Sequence, residues 1–400
     1  MSGGEKSAQA ESFAFVIKRC RGALLAGTAV VAAPAFLALS LGAAQAGDLV
    51  NYFGTYVNHG ARTVDDVINA SGGVIVNKGK LTADDVTNKT GAVIVNTGKL
   101  AADDVTNESG GRIINDGRLR AEDITNKTGG VIVNKGKLTA DDVTNESGGR
   151  IINDGRLKAD DIANKQDGVI VNKGKLTADD LTNHGLIINK GRLRADDIAN
   201  KDDGVIVNKG KLTADDLTNR GLIVNDGRLR ADDIANKKDG VILNKGKLTA
   251  DDLTNNGLII NDGRLTADDV TNKKHGVIVN EGRLTAGDVT NNGRIVNNGT
   301  IIDALTNSGV VINNGIYIAD VNNSGFIRNS GTWTGNLDSN TGVVTLANGS
   351  SWTGDLTNNT IGIINLGTSL VPATNQLVTG DLSNAGLASA LARTAFCMRR

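Results

Sequence analysis

Four hundred residues would ordinarily divide into two or three globular domains. The composition points elsewhere: 51 Gly, 45 Asn and only 2 Pro, with hydrophobics at 39% but aromatics at 3%. Hydrophobics at this level exclude a disordered chain, and a net charge of -1 leaves no basic field to hold nucleic acid. Two Cys, at Cys20 and Cys397, make neither a disulfide framework nor a Cys-based metal cluster. His59, His184 and His275 share no ligand-like spacing.

Residues 1–46 have the layout of a secretory signal peptide. A polar stretch ends in Lys18-Arg19-Cys20-Arg21, an apolar run extends from Ala23 to Ala44, and Ala44-Gln45-Ala46 forms a small-x-small cleavage site. The alternative is an uncleaved anchor, because the apolar run is long enough to span a bilayer. Pro34 and the Ala-Gly richness favour cleavage. The chain is therefore expected to be exported. Residues 47–71 are expected to form an N-terminal cap.

Residues 72–330 are a tandem array. One copy reads Gly73-Val-Ile-Val-Asn77-Lys-Gly79-Lys-Leu81-Thr-Ala83-Asp84-Asp85-Val86-Thr-Asn88. The first Asn recurs at Asn96, Asn115, Asn134, Asn153 and Asn172 in steps of 19. Steps alternating 17 and 19 follow to Asn297, and Asn313 and Asn329 come at steps of 16. Such periodicity marks a repeat architecture. Length changes fall between Asn164 and Gly168 or Asn183 and Gly185, which makes that segment a loop.

Ile75, Asn77, Gly79, Leu81 and Ala83 share one parity, the signature of a strand. Parity breaks at Asp84-Asp85 and resumes at Val86 and Asn88, which places a corner there. Long apolar faces at helical spacing are missing, and β-branched residues dominate. The expected fold is all-β: a single-stranded parallel β-helix, or β-solenoid, of about 15 coils of 16–19 residues, with coils about 4.8 Å apart. Asn77, Asn96, Asn115, Asn134, Asn153 and Asn172 then form a buried hydrogen-bonded ladder. Gly supplies backbone freedom for one bend.

Asp84, Asp85, Asp103, Asp104, Asp141 and Asp142 stack as an outer carboxylate ladder. Neutralisation by the neighbouring Lys/Arg column, which begins at Lys80, is one reading; weak Ca2+ binding along the edge is the other. No G-G-x-G-x-D run supports calcium, and no other cofactor is indicated. Gly73 to Lys80 resembles a phosphate loop only superficially, since five residues intervene and Leu81 stands where Ser or Thr is needed. The sequons at Asn88 and Asn107 are on inward-facing residues. A glycan-active β-helix enzyme would need an irregular charged coil and sugar-stacking aromatics, which the regular coils lack. No enzymatic activity is expected.

Aromatics are missing from Val57 to Ile316 and return with Tyr317 and Phe326 and then in residues 331–368, where Gly331-Thr-Trp333-Thr-Gly-Asn-Leu337 and Ser351-Trp352-Thr-Gly-Asp-Leu356 follow each other. Trp333 and Trp352 are read either as a cap on the stack or as a glycan contact. Residues 369–400 read as an irregular tail without strand alternation.

The long signal segment, the G-x-I-x-N-x-G-x-L coils and the G-T-W-T-G-N-L element together resemble passenger domains of bacterial autotransporter adhesins, over roughly residues 1–365. The resemblance implies export by the secretion machinery, display by an outer-membrane β-barrel translocator, and adhesion through self-association or a cell-surface ligand. The translocator's run of amphipathic strands is not found before Arg400. The expectation is a truncated or frame-shifted relative, or a separately secreted passenger. A passive structural spacer is the alternative function.

Overall fold

In the computed structural model the described residues are 47–366, 377–385, 387–390 and 395–396. Residues 1–46, expected to be a signal peptide, and about half of the C-terminal tail lie outside them. Every element among them is a strand, and the strands wind into a parallel β-solenoid. One turn comprises Val74–Asn77, Lys80–Thr82 and Asp85–Asn88. These are called the first, second and third strands of a turn. Each pairs in parallel with its equivalent one turn away: Ile75 with Ile94, Leu81 with Leu100 and Val86 with Val105.

Seventeen complete three-strand turns run from Thr55 to Asn358, slightly more than the Asn77 repeat indicates. Residues 49–69 already supply strands in register with the array. At the other end Leu346 and Leu366 occupy the ladder position, so turns persist where their Asn marker is gone. At about 4.8 Å per turn the rod is roughly 80 Å long. The tail expected to lack strands instead continues the stack through Leu377–Thr379, Leu382–Asn384 and Leu387–Ala390. Backbone pairing with the preceding turn needs no side-chain alternation, so its composition hid it.

Ile75, Leu81, Ala83 and Val86 are buried, and their equivalents continue one core along the rod. Full burial of each larger aliphatic contributes about 1.5–3 kcal/mol. Two columns of buried Asn flank this core. In the first, Asn77 Nδ2 donates to Asn96 Oδ1 (2.8 Å) and to the Lys99 carbonyl (2.8 Å). The second places Asn88 Nδ2 on Asn107 Oδ1 (2.8 Å) and the Ala92 carbonyl (3.0 Å). Each amide accepts from the turn before and donates to the turn after, which satisfies groups that would otherwise be costly to bury. The first column runs unbroken from Asn58 to Asn329 and the second extends to Asn358 and Asn384.

Gly79 and its equivalents are required for a reason other than bend flexibility. A Cβ at Gly136 would lie 2.0 Å from the Gly117 carbonyl oxygen, so turns approach here to backbone contact. Positive φ is found instead in the loop before the first strand, at Gly91, Gly110, Gly129 and Gly148. When that loop changes composition, Asp167 (φ 58) and Asp239 (φ 67) take up the same conformation.

Asn134→Ala leaves Asn115 Nδ2 without its amide acceptor and Asn153 Oδ1 without its donor. The expected loss is about 2–5 kcal/mol, from two stranded buried groups. Chemical denaturation of the variant measures it, and an unchanged midpoint would contradict the ladder's role.

Candidate functional site

The outward residues of the three strands form columns with three different chemistries. The second strand presents Lys80, Lys99, Arg118 and their successors, with Thr82-type residues beside them. On the third strand Asp85 stacks on Asp104, which stacks on Asp123 and then Asp142, with Thr87-type residues beside them. The adjacent Asp84 column runs parallel, with the Asp103 amide donating to the Asp84 carbonyl at 2.7 Å. Asp84, Asp85, Asp103, Asp104, Asp141 and Asp142 are all exposed.

Stacked carboxylates raise one another's affinity for protons. Partial loss of hydration, followed by the charges of Asp104 and Asp66 in the neighbouring turns, pushes the Asp85 carboxyl above the usual carboxylate range. Asp161, Asp197 and Asp233 are raised for the same two reasons. The ion pairs that reach this edge come from Lys158 to Asp160 (3.4 Å), Arg194 to Asp196 (3.6 Å) and Arg230 to Asp232 (3.6 Å). These cations stand two residues before their partners. The Lys80 column stands four before, and none of the ion pairs seen among the described residues joins it to this edge, so it is not the neutralising column. Exposed pairs of this kind each contribute about 0–1 kcal/mol. Among the described residues no three acidic, His or Cys side chains converge to hold a metal ion.

Trp333 and Trp352 lie in the core, each 0% exposed. They occupy the column of Leu81, in the order Ile301, Tyr317, Trp333, Trp352, Val378. Tyr317 stacks on Trp333 at 4.2 Å and Trp333 on Trp352 at 4.7 Å, nearly parallel. Their indole N–H groups donate to the Ala319 and Gly335 carbonyls at 3.0 Å. The glycan-contact reading is therefore corrected: inward parity buries both rings, and neither offers a face to a sugar. Strands also continue beyond them.

Below this aromatic stack the Tyr317 hydroxyl donates to Asp303 Oδ2 (3.0 Å). Asp303 is partly exposed as a residue, yet its Oδ1 is sealed from solvent and unpartnered. Desolvation pushes its carboxyl up to about 7, with the nearby Asp288 charge adding to it and the Tyr317 bond opposing it. Just outside, the Asp85 column lapses at Ala304, opposite Asp288, where pairing shifts register. A groove of about 490 Å³ opens there, edged by Asp269, Asp288, Asp320 and Asp338 with Thr271 and Thr290.

The first strand supplies the feature that alternation missed. Its outward third position is Val, Ile or Leu in every turn from Val57 to Ile312. Its outward first position is Val or Leu from Val74 to Val310, except at Arg112, Arg150 and Arg294. Most of these side chains remain partly exposed while Ile75 and Asn77 beside them are buried. The rod therefore has one long apolar face, one basic column and one acidic edge. The run Val74-Ile75-Val76, apolar at both parities, was the available signal.

No family model matches the chain, and no curated protein or solved structure is similar enough to register as a match.

The raised carboxyls set a pH dependence. A folded-state value above the unfolded one gives stability that is complete below the unfolded value and lost as pH rises through the folded one. Melting temperature is thus expected to rise as pH falls from 8 towards 5, chiefly through Asp303. Asp303→Asn should raise the melting temperature at pH 8 and raise it by clearly less at pH 5. Calorimetry at both values checks this, and equal effects would show that Asp303 titrates normally.

Proposed function

We propose that this chain is an exported rod, similar in role to an autotransporter passenger, which acts at the cell surface by adhesion or self-association and not by catalysis. Secretion machinery and an outer-membrane β-barrel translocator are its proposed partners in export. The observation that carries the reading is the repetition of the same outer columns through twelve successive turns, from that of Asn77 to that of Asn280. A contact made by one turn is available again about 4.8 Å further along, and weak contacts in such an array add to avidity. The long, partly exposed apolar face supports interaction over a purely passive spacer, because a contiguous apolar surface of this extent marks association sites.

Display of the full chain on a non-aggregating bacterium tests the reading. Cells carrying it are expected to clump and settle, or to bind a second cell type, and soluble protein should compete. Cells that stay dispersed and bind nothing would leave the spacer role.

A further inference from the structure

The apolar face of the first strands needs an occupant with the same period. We propose that a second copy of this chain covers it, the two rods packed face to face and antiparallel. Their two-fold axis passes between the turns of Asn172 and Asn189. This inference rests on the reading of the chain as self-associating and names the surface and geometry.

Size is the first argument. Twelve turns, from that of Asn77 to that of Asn280, with four-residue strands, present a face of roughly 750 Å² at the usual strand dimensions. Stable interfaces bury about 800 Å² per partner. Period is the second. Aliphatic rows about 4.8 Å apart interdigitate along such a length only with rows of equal spacing, which a second copy carries.

Charge selects direction and register. The residue after each ladder Asn is exposed at the corner bordering the face, and its sign varies along the rod. A two-fold axis along the strand direction lays this corner against itself in reverse order. With the axis between Asn172 and Asn189, Lys78 faces Glu281, Asp116 faces Lys245, Lys135 faces Asp226 and Asp154 faces Lys209. Thr97 meets Asp262, and the like pair, Lys173 with Lys190, is nearest the axis. Symmetry makes every contact twice. Within one chain, Lys135 already pairs with Asp116 (3.5 Å) and Lys173 with Asp154 (3.1 Å), so the second copy extends networks of alternating sign.

Neighbouring registers and the parallel arrangement set more like charges together. Moving the axis half a turn towards the C-terminus puts Asp116 against Asp262, Lys135 against Lys245 and Asp154 against Asp226. Half a turn the other way puts Asp116 against Asp226 and Lys135 against Lys209. Parallel rods would bring Asp116 to Glu108 and Lys135 to Lys127 across opposite corners. Like-charge juxtaposition of this kind suppresses wrong registers.

Sedimentation equilibrium of the purified full chain and of two single variants tests the proposal, with circular dichroism to verify folding. Wild type is expected to form a dimer whose maximum dimension in small-angle scattering is close to that of one rod. Lys135→Glu and Asp226→Lys each place like charges across the interface and should weaken their own dimers about tenfold. In an equimolar mixture every such contact is again opposite in sign, and a heterodimer of near wild-type affinity should appear. A wild type that stays monomeric, single variants that dimerise normally, or a mixture without rescue would overturn the proposal. Cells that clump without rescue in the mixture would leave the adhesive reading standing alone. A rescued dimer on cells that neither clump nor bind would overturn that reading and leave this one.

Discussion

Register between successive turns is the constraint on which the molecule depends, and the buried amides enforce it. Asn77 and Asn88 sit on two sides of the core, and each must meet its equivalent one turn away at 2.8 Å. A slip by one residue would set each amide against an outward-facing neighbour, such as Val95 for Asn77 or Thr106 for Asn88, and strand a donor and an acceptor in the interior, at a cost of about 1–3 kcal/mol each. Backbone contact at the Gly79 column closes the remaining freedom, because only Gly allows the approach to the previous turn's carbonyl. Within the array from Asn77 to Asn280, length differences are consequently confined to the loop before the first strand, where the 17- and 19-residue turns differ.

Locked register turns the outer surface into columns of like residues. For aliphatic side chains the consequence is a continuous face. For carboxylates it is mutual repulsion at the strand spacing, seen as raised proton affinity at Asp85, Asp161, Asp197 and Asp233. Aromatic rings fit the same spacing without strain, since the 4.2 and 4.7 Å centroid separations match both stacked aromatics and stacked turns. Tyr317, Trp333 and Trp352 thus fill the column that Leu81 fills elsewhere. Their larger volume goes with a corner one residue shorter, since Val321, Leu337 and Leu356 stand four residues after Tyr317, Trp333 and Trp352 where Val86 stands five after Leu81.

The solenoid was legible because Ile75, Asn77 and Leu81 keep one parity, and Val86 and Asn88 resume the alternation past the Asp84-Asp85 corner, through many copies whose length changes only in the loop after Asn88. What alternation could not read was the Val74-Ile75-Val76 run, in which both parities are apolar and only the wound chain distinguishes inside from outside. Residue type misdirected the reading of Trp333 and Trp352: tryptophan suggests a sugar platform, whereas their position matches Leu81. The partners of the acidic edge were misplaced because Lys80 and Asp84 are close in sequence but four extended residues apart. Asp303 carried no periodic signal, since its burial arises where the turns shorten near Ala304.

Side-chain amide exchange tests the central constraint most directly. Carboxamide protons of the buried Asn, such as Asn134 and Asn145, are expected to exchange only with global unfolding, which would place them among the slowest protons in the molecule. Those of exposed Asn292 and Asn322 should exchange at the rate of free asparagine. Two populations separated in this way are what the ladders require, whereas uniformly fast exchange from all asparagines would show that the amides do not hold the turns in register.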